Sequence, residues 1–157
     1  YGEDIYIGYR FYETTKRPAL WSFGSGLSYT TFDLLDLSIQ KDQRDGRELL
    51  LVDVGVKNTG PVDGAQVVQV YVAARSSSIK RPVKELKGFS KVFVKAGETA
   101  VAKISIERKY AASIWDETRH QWVEEAGTYD VLVGDSSSNI QLKGHFEVSD
   151  TTWWSGL

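Results

Sequence analysis

From Asp33 onward, apolar and polar residues alternate with the period of two that marks half-buried strands. Leu35, Leu37 and Ile39 are expected on one face of a first strand. Leu50, Val52, Val54 and Val56 share a face of a second, with Asp53 and Lys57 turned the other way. Val68, Val70 and Val72 repeat the pattern against Gln69 and Tyr71 in a third. Phe89 to Val94 makes a fourth, its two sides less clearly sorted. Ala102, Ile104 and Ile106 oppose Lys103, Ser105 and Glu107 in a fifth, and Tyr129, Val131 and Val133 mark a sixth. The last is the cleanest: Ile140, Leu142, Gly144, Phe146 and Val148 inside, with Gln141, Lys143, His145 and Glu147 outside.

Turn signals separate these runs: Arg44-Asp45-Gly46, Asn58-Thr59-Gly60-Pro61, Ala96-Gly97-Glu98, Ala126-Gly127 and Asp135-Ser136-Ser137-Ser138. Seven short antiparallel strands with regular turns predict an all-β, immunoglobulin-like sandwich over residues 33–148, followed by a tail at 149–157. One helical turn is expected at 108–113, and a loop between sheets at 75–87.

Residues 1–32 follow neither period and read as an arm. They hold nine of the nineteen aromatics: Tyr1, Tyr6, Tyr9, Phe11, Tyr12, Trp21, Phe23, Tyr29 and Phe32. Nine such rings represent on the order of 1,400–2,200 Å². That is the size of a specific interface and too much to leave in water. Either the arm folds back over the sandwich, or Tyr6, Tyr9, Phe11, Tyr12, Trp21, Phe23, Tyr29 and Phe32 dock on a neighbour. The chain holds no Met, so it does not open at a start codon, and a piece of a longer polypeptide is expected.

Charge and composition narrow the chemistry. A net charge of −2 gives no case for nucleic acid, and no apolar run is long enough to span a bilayer. Without Cys there is no disulfide, thiol nucleophile or thiolate metal site. Gly24-Ser25-Gly26 fails the dinucleotide fingerprint because Tyr29 stands where a third glycine belongs. His120, in a polar turn, and His145, on an outward face, lack a second ligand at metal spacing, so no metal or cofactor is expected. Asp116-Glu117 and Glu124-Glu125 flank a surface hairpin, where water is expected to keep their pKa values ordinary. The basic run from Lys80 to Lys87 reads as a solvated loop. Trp115 and Trp122 either form a sugar-stacking platform or close one end of the core, and Trp153-Trp154 dock. No catalytic residue emerges.

The segment "EDIYIGYRFYETTKRPALWSFGSGLSYTTF" resembles the stretch that leaves the second catalytic domain of family 3 glycoside hydrolases. "VGVKNTG", "GAQVVQVYV", "RPVKELKGFSKVFVKAGE" and "AGTYDVLVGDSSSNIQLKGHFEV" resemble, in order, that family's C-terminal fibronectin type III-like domain, most closely in fungal β-glucosidases. The resemblance implies a nucleophilic aspartate and an acid/base glutamate in domains before residue 1. It implies a non-catalytic module that buttresses those domains, with the β-glucoside handled by the parent. Gly24 and Gly26 would turn the chain from one domain into the next. Two rivals stay open: an independent carbohydrate-binding module, and a fibronectin-type interaction domain. An arm that has lost its partner would also be expected to pair with a second copy of the chain.

Overall fold

The Arg44-Asp45-Gly46 signal closes a hairpin between β1 (Phe32–Arg44) and β2 (Arg47–Asn58) in the computed structural model, which describes residues 4–156. Asp45 and Gly46 both take left-handed backbone, at φ 51° and 76°, as a two-residue hairpin loop of this twist requires. Ahead of the hairpin lies α1 (Tyr9–Thr14). After it come β3 (Gly64–Ala74), β4 (Glu85–Val94), β5 (Thr99–Glu107) and the short helix α2 (Arg108–Ala112). Strands β6 (Ser113–Asp116), β7 (Gln121–Glu124), β8 (Gly127–Ser136), β9 (Asn139–Val148) and β10 (Thr152–Trp154) complete the chain.

Two antiparallel sheets, ordered β1-β2-β5 and β4-β3-β8-β9, face each other as the expected all-β sandwich. The seven strands read from the alternation are all present, and the helical turn forms at Arg108–Ala112. Val52, Val54 and Val56 from one sheet and Val68, Val70, Val131 and Val133 from the other are fully buried between them. Each such side chain contributes about 1.5–3 kcal/mol by leaving water. Phe146 of β9 stacks on Tyr129 of β8 at 5.2 Å.

Three features depart from the sequence reading. The first is the facing of β1: Leu34, not Leu35, enters the core, while Leu37 and Ile39 pack against it as expected. A bulge between Leu35 and Ser38, with Asp36 at φ 55°, inserts one residue and resets the alternation. Secondly, Gln69 and Tyr71, expected on the outer face of β3, are buried. The arm lies over them. Thirdly, a small sheet ordered β10-β7-β6 stands beyond the sandwich, pairing Trp115 with Trp122 and Trp153 with Val123.

Asn58, at the end of β2, is a buried polar hub. Its amide donates to the carbonyls of Val62 and Val94, both at 2.9 Å. Its Oδ1 accepts from the Thr30 hydroxyl at 2.7 Å and from the Gly60 N–H at 3.0 Å. Every bond this amide needs is made, and the arm's last turn is thereby tied to the sandwich. Tyr1, counted among the arm aromatics, lies outside the described residues.

Candidate docking surface

The arm has an inner side fastened to the outer face of β3 and β4. Tyr9, from α1, stacks on Phe23 at 4.9 Å and meets Tyr71 edge-on at 6.0 Å. Its hydroxyl accepts the Leu86 N–H at 2.9 Å. Arg10 pairs with Glu85 at 3.4 Å and Glu13 with Lys84 at 3.3 Å. Tyr6 lies beneath the Lys80 ammonium, 4.5 Å from its ring centre, and donates to the Arg81 carbonyl at 3.5 Å. Phe11 meets Tyr12 edge-on and carries the Arg17 guanidinium over its ring. Burial, with Tyr9 and Glu13 adding to it, raises the pKa of the Tyr71 phenol well above the usual range.

After the helix the chain turns back at Phe23, whose carbonyl accepts the Ser137 N–H at 2.9 Å. Gly24 sits directly on the Gln69 amide, and Gly26 points into open space. Phe32 opens β1 and packs against the core.

The other side of the arm is uncovered. Trp21 is 83 % exposed and Tyr29 98 %, and Leu20 and Leu27 are as open. Between α1 and the connector lies a cleft of about 830 Å³ lined by Tyr9, Tyr12, Leu20, Trp21, Phe23 and Ser137. The eight arm aromatics named from sequence thus divide. Tyr6, Tyr9, Phe11 and Phe32 are half-buried, whereas Tyr12, Trp21, Phe23 and Tyr29 remain exposed.

At the other end of the molecule, Trp115 and Trp122 meet edge-on at 5.7 Å on the β6–β7 hairpin, half exposed and outside the sandwich core. Trp154 stacks on Trp122 at 5.7 Å and donates to the Ser113 hydroxyl at 2.9 Å. Glu124 and Glu125, expected in water, are buried. Glu124 pairs with Arg108, which also holds Glu48 at 2.9 Å. Burial, with Glu48 adding to it, outweighs Arg108 and holds the Glu124 carboxyl above its ordinary pKa. Glu125 behaves oppositely. Burial would raise it, but bonds from Ser77, Ser78 and Arg81 together bring it below the usual range. The guanidinium of Arg108 thus bridges Glu48 and Glu124.

The basic run is not a solvated loop. Arg81 is largely buried, pairing with Glu125 at 3.1 Å and donating to the Ala112 carbonyl at 2.8 Å. Lys84 reaches the Ser137 carbonyl. Sequence reading missed this network, and its one local signal is the Ser76-Ser77-Ser78 run ahead of Pro82. His120 and His145 are exposed, and among the described residues no cluster of three or more metal-ligating side chains occurs.

Residues 66–137 match the model of the fibronectin type III-like domain. The whole chain aligns at 50 % identity with a probable β-glucosidase I of Aspergillus fumigatus, covering 19 % of it. A putative β-glucosidase of Schizosaccharomyces pombe aligns over the whole chain at 46 %, with 18 % of that protein covered. These matches fall in the C-terminal part of the relatives. The chain corresponds to the C-terminal, fibronectin type III-like part of family 3 β-glucosidases. Solved structures agree. The β-glucosidase of Kluyveromyces marxianus in complex with glucose superposes on the whole chain with a TM-score of 0.91 at 46 % identity, over 18 % of its length. β-Glucosidase 3B of Thermotoga neapolitana gives 0.88 at 40 % identity, covering 98 % of this chain and 21 % of that one. The fibronectin type III-like chain therefore spans about a fifth of the length of the curated relatives it matches.

Proposed function

We propose that this chain is a non-catalytic structural module of a longer β-glucosidase, with residues 1–32 connecting it to the catalytic domains and its arm docking on them. The observation that carries this reading is the open side of the arm, where Leu20, Trp21, Leu27 and Tyr29 stand in water. Apolar side chains grouped in this way mark a surface that another body covers. The relatives supply that body, since four-fifths of their length lies outside the region matched here. Hydrolysis of terminal β-glucosides belongs, on this reading, to the parent's other domains.

A free carbohydrate-binding module is less well supported. One face of Trp122 is taken by Trp154, and Trp115 meets Trp122 at an interplanar angle of 74°. The pair offers no two coplanar faces on which a glucan could lie.

The chain alone should release nothing from an aryl β-glucoside and should pass unretained over insoluble β-glucan. In the longer polypeptide, joint replacement of Trp21 and Tyr29 by Ser should lower the Tm, with little effect on the isolated chain. Turnover by the chain that vanishes when one of its own carboxylates is mutated would refute the proposal. So would a Tm of the longer polypeptide that ignores Trp21 and Tyr29.

A further inference from the structure

The outward face of β4 reads Lys87, Phe89, Lys91, Phe93, followed beyond the strand by Lys95. Phe89 is 70 % exposed and Phe93 64 %, on the edge strand of the four-stranded sheet. Edge strands are ordinarily blunted with charge, and the lysines serve that end, but two uncovered phenylalanines do not. Among the described residues, Lys91 and Lys95 make no ion pair, and Lys87 pairs only with Glu85 of its own strand.

The position of this strip says what covers it. Phe89 stands opposite Gln69, the residue on which Gly24 rests. The strip therefore begins beside the arm's seat on Gln69, and the arm's helix meets the same strand at Glu85 and Leu86. One body laid on the arm reaches both.

We infer that the docking face continues across β4, where Phe89, Lys91 and Phe93 meet an apolar patch edged with carboxylates on the same catalytic body that covers the arm. This rests on the structural-module reading above. The lysines select the partner's chemistry: two copies of β4 side by side would set ammonium groups against each other, whereas carboxylates between apolar contacts satisfy both halves of the pattern.

The chain has no cysteine, so Lys91→Cys and Trp21→Cys each give a single thiol. Maleimide labelling is timed in the isolated chain and in the longer β-glucosidase cleared of its own reactive thiols. Both thiols should react at least about tenfold more slowly in the longer polypeptide. Protection at 21 without protection at 91 overturns the extension across β4 and leaves the structural-module reading standing; protection at neither overturns both. Concentration-dependent protection at 91 in the isolated chain would make a second copy the occupant and overturn the inference. In the longer polypeptide, Lys91→Glu should lower the Tm, and an unchanged value would refute the carboxylate patch.

Discussion

Gln69 lies so close beneath Gly24 that a Cβ on the glycine would sit 2.1 Å from the Gln69 side-chain nitrogen. The glycine also holds φ +82°, a region other residues enter at a cost. Gly24→Ala should therefore unseat the connector, lowering stability by about 1 kcal/mol or more. Hydrogen exchange at the amides of Gln69 and Tyr71 should speed up while that of β2 holds. Unchanged protection at both would mean the arm does not shield β3.

Where the arm is cut should matter more than how much is removed. Thr30 bonds to Asn58 inside the fold, and Phe32 of β1 pairs with Asn58 of β2. Deleting residues 1–27 should leave a folded sandwich with a freshly exposed Tyr71. Deletion through Phe32 strips the hub of a partner and should cost a further 1–3 kcal/mol, roughly. Urea melts of the two truncations test this, and equal midpoints would refute the role given to Thr30.

Phe146 is buried against Tyr129, whereas Lys143 on the same strand is open to solvent and reaches only Asp130 at 3.5 Å. Phe146→Ala should cost about 3–5 kcal/mol. Lys143→Ala should stay within about 0.5 kcal/mol of neutral. Comparable losses would show that β9 is not facing as described.

Glu124 and Glu125 should bend the stability profile in opposite directions. The Glu125 carboxyl is held below its ordinary pKa of about 4.3, so its contribution is complete above that pH and is lost as pH falls through the folded value. The Glu124 carboxyl is held above it, so its contribution is complete below about 4.3 and is lost as pH rises through the folded value. Glu125→Gln should flatten the acid limb, and Glu124→Gln the limb just above it. Denaturant melts from about pH 3 to about pH 7.5 read both, and an unaltered slope for either variant would sink its assignment.

What the chain revealed in advance depends on whether the causes were local. The alternation in β2, β3 and β9 is written in consecutive residues, and those strands stand where the pattern puts them. Leu35 misled because one left-handed residue, Asp36, shifts the register without any glycine or proline to announce it. The burial of Glu125 was illegible because Ser78 and Arg81 lie more than forty residues earlier in the chain. Tyr71 carried the outward signature of β3, and only the arm, a separate non-periodic segment, removes it from water. The same reasoning covers the arm aromatics: composition showed an excess, but which rings face inward is decided by anchors such as Leu86 and Ser137.

The bulge in β1 has a bearing on colloidal behaviour. That strand is the free border of the three-stranded sheet, and its extra residue at Asp36 breaks the row of outward-facing backbone groups along that border. Removing Asp36 would restore strict alternation from Phe32 through Leu34 to Leu37 and Ile39, so the core could keep its inward set. The straightened border would then be a template for another chain to join. A single-residue deletion that looks benign by hydrophobic pattern should thus turn a well-behaved domain into one that forms fibrils or precipitates at high concentration.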